Sequence, residues 1–243
     1  MDIDSFFDLV EKALAGDASS QYELGNSFYE GNTVNKDYIN AYSWLIKAAE
    51  QGNAQAQKIV GLCYFNGDGV EQDYKLALYW WTKSAEQGNA VALRNLGICY
   101  EYGYGVDKNY EEAIRLYNKS ADLGNTRALV NLAYYYETVV LNLEKAIELY
   151  RKAAEQGDVE AQNNLGISYE VGKVVEKDLE KAIYWYTKAA EQGNDVAQYN
   201  LGLCYKNGKG INPNLEKAAM WFRKAAKQGN EGAIKKLSEL NMK

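Results

Sequence analysis

Gly16, Gly52, Gly88, Gly124, Gly157, Gly193 and Gly229 follow one another at steps of 36, 36, 36, 33, 36 and 36 residues, and the residue after each is asparagine or aspartate. Glycine takes the left-handed conformation just past a helix end, and Asn or Asp can cap the next helix through its side-chain oxygen. Each pair therefore ends one helix and starts another. The words around it recur as well, as in "KAAEQGNAQAQ" (47–57), "KAAEQGDVEAQ" (152–162) and "KAAEQGNDVAQ" (188–198). Self-similarity at this period is the signature of stacked units, each too small to bury its apolar face alone.

A second column of caps lies midway through each unit, at Asp37, Asp73, Asn109, Asn142, Asp178 and Asn214. Alanine follows four residues on and a large residue three beyond that, as in Ala77 with Trp80, Ala182 with Trp185 and Ala218 with Trp221. That spacing marks one buried helical stripe. The first helix of each pair carries its own stripe, such as Ala56, Val60, Gly61 and Tyr64, or Ala92, Leu96, Gly97 and Tyr100. The predicted fold is all-α, a right-handed α/α superhelical solenoid of six helix-turn-helix repeats with half-repeat caps at both ends. A single repeat array over 1–243 is expected, with a capping helix at 1–15, repeats at 16–51, 52–87, 88–123, 124–156, 157–192 and 193–228, and a capping helix at 229–243. Phe6, Phe7, Val10 and Leu14 are expected to pack the first cap against the first repeat.

The unit "AEQGNAQAQKIVGLCYFNGDGVEQDYKLALYWWTKSA" resembles the Sel1-like repeat, a relative of the tetratricopeptide repeat with a longer loop between its helices. Both "A-E-Q-G-N" and "L-G-x-x-Y-x-x-G-x-G-V" recur in register through essentially the whole chain. The resemblance implies a scaffold or adaptor that binds other proteins. The fourth repeat departs from it: "LAYYYETVVLNLEKA" lacks the G-x-G loop and is three residues short. Either a neutral deletion or a local change that exposes an apolar contact would account for this.

Chemistry is hard to find. Histidine is absent, which removes Ser-His and Cys-His nucleophile pairs and the commonest zinc ligand. Cys63, Cys99 and Cys204 share one column without C-x-x-C spacing, and read as small buried residues. The pairs Glu111 with Glu112 and Glu155 with Glu191 fall on surface or repeat positions. The G-x-G loops continue into no phosphate-binding motif. A non-enzymatic protein with no cofactor and no metal is expected.

Net charge is −6, and no Lys/Arg cluster offers the counterion release on which nucleic-acid binding depends. The acidic start lacks the pattern of a signal peptide, and no apolar run approaches the about 20 residues of a membrane span. The expectation is a cytoplasmic protein with a protein or peptide partner, no nucleic acid and no membrane insertion.

The resemblance places first helices on a concave wall. Positions facing that groove are Tyr22, Tyr29, Lys58, Phe65, Arg94, Ile98, Tyr102, Arg127, Tyr134 and Tyr199, with Leu62, Val91, Val130, Ile167, Val196 and Leu203 between them. Tyrosine and arginine often anchor interfaces. Glu30, Glu101, Glu137 and Glu170 form a line of acids there. Asn131, Asn164 and Asn200, in one column with Asn95, either hold a ligand backbone, as the matching asparagine does in tetratricopeptide relatives, or bond within the repeat. The leading expectation is partner binding in this groove. The alternatives are a bacterial immunity protein that neutralises a secreted toxin, or a secreted effector that binds host proteins.

Overall fold

A computed structural model describes Ile3–Asn241, and among the described residues there are fourteen α-helices and no strand. They are α1 (Ile3–Leu14), α2 (Ala18–Glu30), α3 (Tyr38–Glu50), α4 (Ala54–Asn66), α5 (Tyr74–Glu86), α6 (Ala90–Tyr102), α7 (Tyr110–Asp122), α8 (Thr126–Thr138), α9 (Leu143–Glu155), α10 (Val159–Val171), α11 (Leu179–Glu191), α12 (Asp195–Asn207), α13 (Leu215–Lys227) and α14 (Glu231–Asn241). The protein is a helical solenoid in two compact units, residues 1–128 and 129–243. In the first, α1 to α7 pack each against the next, and in the second α9 to α14 do the same.

The punctuation works as its chemistry requires. Asp17, Asn53, Asn89, Asp158 and Asn194 cap the helices that follow them, each accepting a backbone N–H with its side chain. Asp37, Asp73, Asn109, Asn142, Asp178 and Asn214 do the same at midpoints. The glycines before the first set have left-handed φ between 82° and 99°. At Gly52, its own N–H bonds to the Ala49 carbonyl and that of Asn53 to the Ala48 carbonyl, which closes the helix end as a Schellman motif.

Glycine inside the first helices answers a different need. A Cβ added at Gly61 would lie 2.5 Å from the Trp81 ring, at Gly97 2.6 Å from Tyr117, at Gly166 2.6 Å from Tyr186 and at Gly202 2.6 Å from Phe222. One residue of each second helix thus lies flat on the backbone of its partner. These rings are among the largest fully buried side chains. They sit one position beyond the Trp80, Trp185 and Trp221 column that spacing marks, where Trp80 and Trp221 are each 8% exposed.

Packing of the first cap differs from expectation. Leu9 and Ala13 are buried against Leu24, with Phe6 and Val10 beside them, whereas Phe7 and Leu14 are 66% and 71% exposed. Positions 6, 9, 10 and 13 share one helical face, and 7 and 14 lie a quarter-turn or more away from it. At the other end, Ala233, Leu237 and Leu240 of α14 join the cluster around Phe222.

The recurring glutamines form a ladder. Gln57 Nε2 donates to the Ala49 carbonyl of the preceding repeat, and its Oε1 accepts from Gln87 Nε2 at 2.8 Å. Gln21 with Gln51, Gln162 with Gln192 and Gln198 with Gln228 repeat the pair, and Gln21, Gln162 and Gln198 donate to Ala13, Ala154 and Ala190. In repeat 88–123 both partners change together, to Leu93 and Leu123.

Cys63, Cys99 and Cys204 are buried and free. Burial pushes the first two thiols up to about 12 and Cys204 up to about 11. At pH 8 each is protonated and shielded, and the thiolate is the reactive form. A colorimetric thiol reagent is expected to find no fast-reacting cysteine in the native protein and three in urea; a fast native phase would contradict this.

Candidate functional site

The expected binding residues fall into two groups, those used up in holding neighbouring repeats together and those left presenting surface. In the first unit, Tyr29 belongs to the former. Its hydroxyl donates to Asp68 Oδ2 at 3.2 Å, in the loop of the next repeat, and its ring meets Tyr38 edge-on at 5.3 Å. Burial, with Asp68 beside it, pushes its phenol up. Phe65 is enclosed by Tyr74, Trp81 and Tyr104 at 5.2 to 5.4 Å. Tyr22 is half-buried against the α3–α4 cluster, and that burial raises its phenol.

Lys58, Arg94 and Ile98 are half-buried, and Arg127 is exposed. Burial lowers the ammonium of Lys58 from its ordinary value. Its backbone carbonyl accepts from Trp81 Nε1 at 3.0 Å. Tyr102 is 45% exposed and stacks on Tyr104. Val91 is also exposed. The first unit therefore presents Val91, Tyr102 and Arg127 outright, with Lys58, Arg94 and Ile98 beneath.

In the second unit Tyr134 is 51% exposed, and Ile167 and Val196 are open as well. Val130 is buried. Tyr199 is half-buried, its ring 5.8 Å from Phe222 and against Gly232, so part of its role is to seat α14. Asn131, Asn164 and Asn200 are half-buried. Asn200 Nδ2 donates to Asn163 Oδ1 at 3.3 Å, and Asn163 Nδ2 to Asn164 Oδ1 at 3.4 Å. The column is thus tied to its buried neighbour Asn163, which sequence reasoning passed over.

The line of acids is mostly structural. Tyr117, Tyr150 and Tyr186 donate their hydroxyls to Glu101 at 2.6 Å, Glu137 at 2.9 Å and Glu170 at 2.7 Å. Tyr117 and Tyr186 are the tyrosines lying against the first-helix glycines Gly97 and Gly166. Glu170 also takes Lys209 Nζ at 2.7 Å. Burial alone would raise its carboxyl, but the bonds from Lys209 and Tyr186 outweigh that and hold it below the usual range. Glu30 is exposed.

A rule connects these contacts. The same first-helix position, read down the chain, meets the following loop through Tyr29 and Asp68, Phe65 and Tyr104, and Glu170 and Lys209. Hydrogen bond, aromatic edge and ion pair alternate in one geometric slot. In sequence these three pairs stand 39 residues apart, although Glu101 in the same column has Val140 at that distance and takes Tyr117 instead.

No helix of the described residues is long and apolar enough to cross a membrane. What remains exposed on the first helices includes Val91, Tyr102, Arg127, Tyr134, Ile167 and Val196.

Comparison with known proteins fits this architecture. The Sel1 repeat model matches residues 18–53, 54–89, 90–125, 126–158, 159–194 and 195–230, its units beginning at the first residue of each first helix. A Sel1 repeat protein from Oxalobacter formigenes is 34% identical, with a TM-score of 0.80 over 88% of this chain and 89% of that one. A protective antigen of uropathogenic Escherichia coli displaying an SLR fold is 32% identical with a TM-score of 0.52; the match covers 97% of this chain and 59% of that longer one. An immunity protein from Pseudomonas aeruginosa shares the fold at 22% identity, with a TM-score of 0.62 over 89% and 83% of the two chains. No curated protein matches. With all six matched units lying end to end from residue 18 to residue 230, the chain belongs to the Sel1 repeat family.

Proposed function

We propose that the protein is a non-catalytic scaffold that holds a protein or peptide partner along the faces of its first helices. The observation that carries this reading is the exposure of Tyr102 and Tyr134, large amphipathic rings on first helices of the two units, whereas most other tyrosines of those helices are held in the packing. Tyrosine and arginine are the residue types that anchor interfaces, and Tyr102, Tyr134 and Arg127 are exposed.

Capture from the source-cell lysate tests it. A Tyr102→Ala, Tyr134→Ala variant, chosen because neither ring lies in the core, is expected to keep its helical circular dichroism and to lose a protein that the wild type retains. Retention by both would remove the function from this face.

A second reading is favoured by the net charge of −6, which suits occlusion of a basic toxin in the manner of an immunity protein. Co-expression with a toxin encoded beside this gene would protect the cell under that reading, and the toxin would kill regardless if the reading is wrong.

A further inference from the structure

The G-x-G loops elsewhere close tightly on the preceding repeat. A Cβ at Gly105 would lie 2.8 Å from the Tyr74 backbone and one at Gly210 2.6 Å from Leu179, while one at Gly69 would run into the Tyr38 carbonyl. Each is the second glycine of its loop, pressed onto the start of the second helix before it. In the loop 172–178 that place is taken by Val174, and the helix start it faces is Leu143, just after the three-residue deletion. A valine cannot come as close as a glycine. Between α9 and this loop a cleft of about 180 Å³ stands open, floored by Leu143, Ile147, Ile167, Val171 and Val174. Cavities of roughly 150 Å³ hold a benzene-sized group, so this one has room for a single aliphatic side chain.

The cleft is not sealed. Val171 is 62% exposed, Ile167 39% and Val174 37%. Outside the cleft lining, the shortened turn also exposes Val139 and Val140 at 47% each and Leu141 at 75%, the last in the left-handed region with φ of 58°, unlike any other described non-glycine residue. Apolar side chains clustered in this way mark contact sites.

Charge says what kind of contact. Glu137 and Lys173 stand at the rim; the carboxylate already accepts from Tyr150, and Lys173 is in no ion pair among the described residues. One helical turn beyond Ile147, Arg151 lies with Lys177 and Lys181 around an adjoining hollow on the other side of the same loop. Asp178 there is occupied as a helix cap and by Lys181 at 3.0 Å. Glu170, which also feels Lys177, is bonded by Lys209 and Tyr186, and Arg151 donates to the Tyr169 hydroxyl at 3.3 Å. That leaves Glu176 as the acid of the hollow not so bonded. The four cations here are matched in number by Glu137, Glu170, Glu176 and Asp178, but three of those carboxylates are already bonded, whereas Lys173, Lys177 and Arg151 stand in no ion pair among the described residues.

We propose that the cleft between α9 and the loop 172–178 docks a peptide segment carrying one aliphatic side chain flanked by carboxylates. The aliphatic group fills the floor and the carboxylates meet Lys173 on one side and Lys177 with Arg151 on the other. This site goes beyond the scaffold reading and stands or falls separately from it, because Tyr102 and Tyr134 take no part.

Fluorescence anisotropy with labelled synthetic peptides tests the assignment: a central leucine among aspartates, the same with serine for leucine, and the same with lysines for aspartates. The leucine–aspartate peptide is expected to bind wild type at least about tenfold more tightly than either control, about 1.4 kcal/mol. Val171→Asp, a surface change that leaves the helices intact by circular dichroism, is expected to lose that binding, and Lys173→Glu to shift preference toward the lysine peptide. Tyr102→Ala, Tyr134→Ala is expected to change nothing. Equal binding of the lysine peptide to wild type, indifference to Val171→Asp, or no binding by any of the three would overturn the proposal.

Discussion

Substituting Gly97 by valine is expected to lower the stability of the protein by about 3 kcal/mol, while Gly52→Ala lowers it by only about 1 kcal/mol. The two glycines recur at the same period for unrelated reasons. Gly97 lies inside α6 with the Tyr117 ring against its backbone, so a new side chain must push a buried aromatic that is itself bonded to Glu101. Overpacking of a filled interior costs about 1 to 3 kcal/mol, and a β-branched residue adds the loss of helical rotamer freedom. Gly52 has φ of 93° and no atom within 4 Å of an added Cβ, so alanine there meets only backbone strain. Urea denaturation of both variants checks the order. Equal losses, or the larger loss at Gly52, would mean that close approach of the second helix does not limit the fold.

The glutamine ladder makes an expectation of the opposite form, in which two changes hurt less than one. Gln198→Leu alone takes one donor from the Ala190 carbonyl, which keeps the Gly193 N–H, and one acceptor from the exposed Gln228 amide, which keeps the Gly193 carbonyl. With both groups still partnered, the single change costs about what an ordinary hydrogen bond contributes, about 0.5 to 1.5 kcal/mol, whereas replacing both partners with apolar groups can be nearly neutral. Gln228→Leu added to Gln198→Leu is therefore expected to restore most of the loss, as the natural pair Leu93 and Leu123 already suggests. A double-mutant cycle with coupling near zero would show that the two amides act independently.

Much of the helical plan was legible because it is enforced locally. A left-handed glycine followed by a capping Asn or Asp can hardly be anything but a helix boundary, and eleven of the caps read from sequence accept backbone N–H groups at the expected places. What stayed hidden depends on contacts between helices. Trp80 and Trp81 are adjacent and alike in sequence, and only the approach of α4 reveals that Trp81 lies on Gly61. Phe7 and Leu14 looked like packing residues because they are apolar, yet the helix face turns them outward. The candidate site was legible as a set of positions and not as a set of roles. Tyr29 and Phe65 fell on the anticipated face, but loops arriving from the next repeat, with Asp68 and Tyr104, draw them into the structure. The glutamines of the recurring stretches carry no role visible in sequence, and their pairing across 30 residues supplies one.

That pairing has a consequence for ancestry. Gln57 and Gln87 belong to the same repeat, so a unit carries both halves of its side-chain rung within its own length. Through the rung itself it asks of its predecessor the carbonyl oxygen of an alanine near a helix end, a group every second helix offers whatever its other residues are. As far as this rung goes, any such unit can follow any other, whereas the slot of Tyr29 with Asp68 or Glu170 with Lys209 needs its partner next door. A gene of this kind can lengthen by copying whole units, each copy arriving with that rung ready made, while losses inside a unit, like the three residues missing before Leu143, leave a scar that no neighbour repairs.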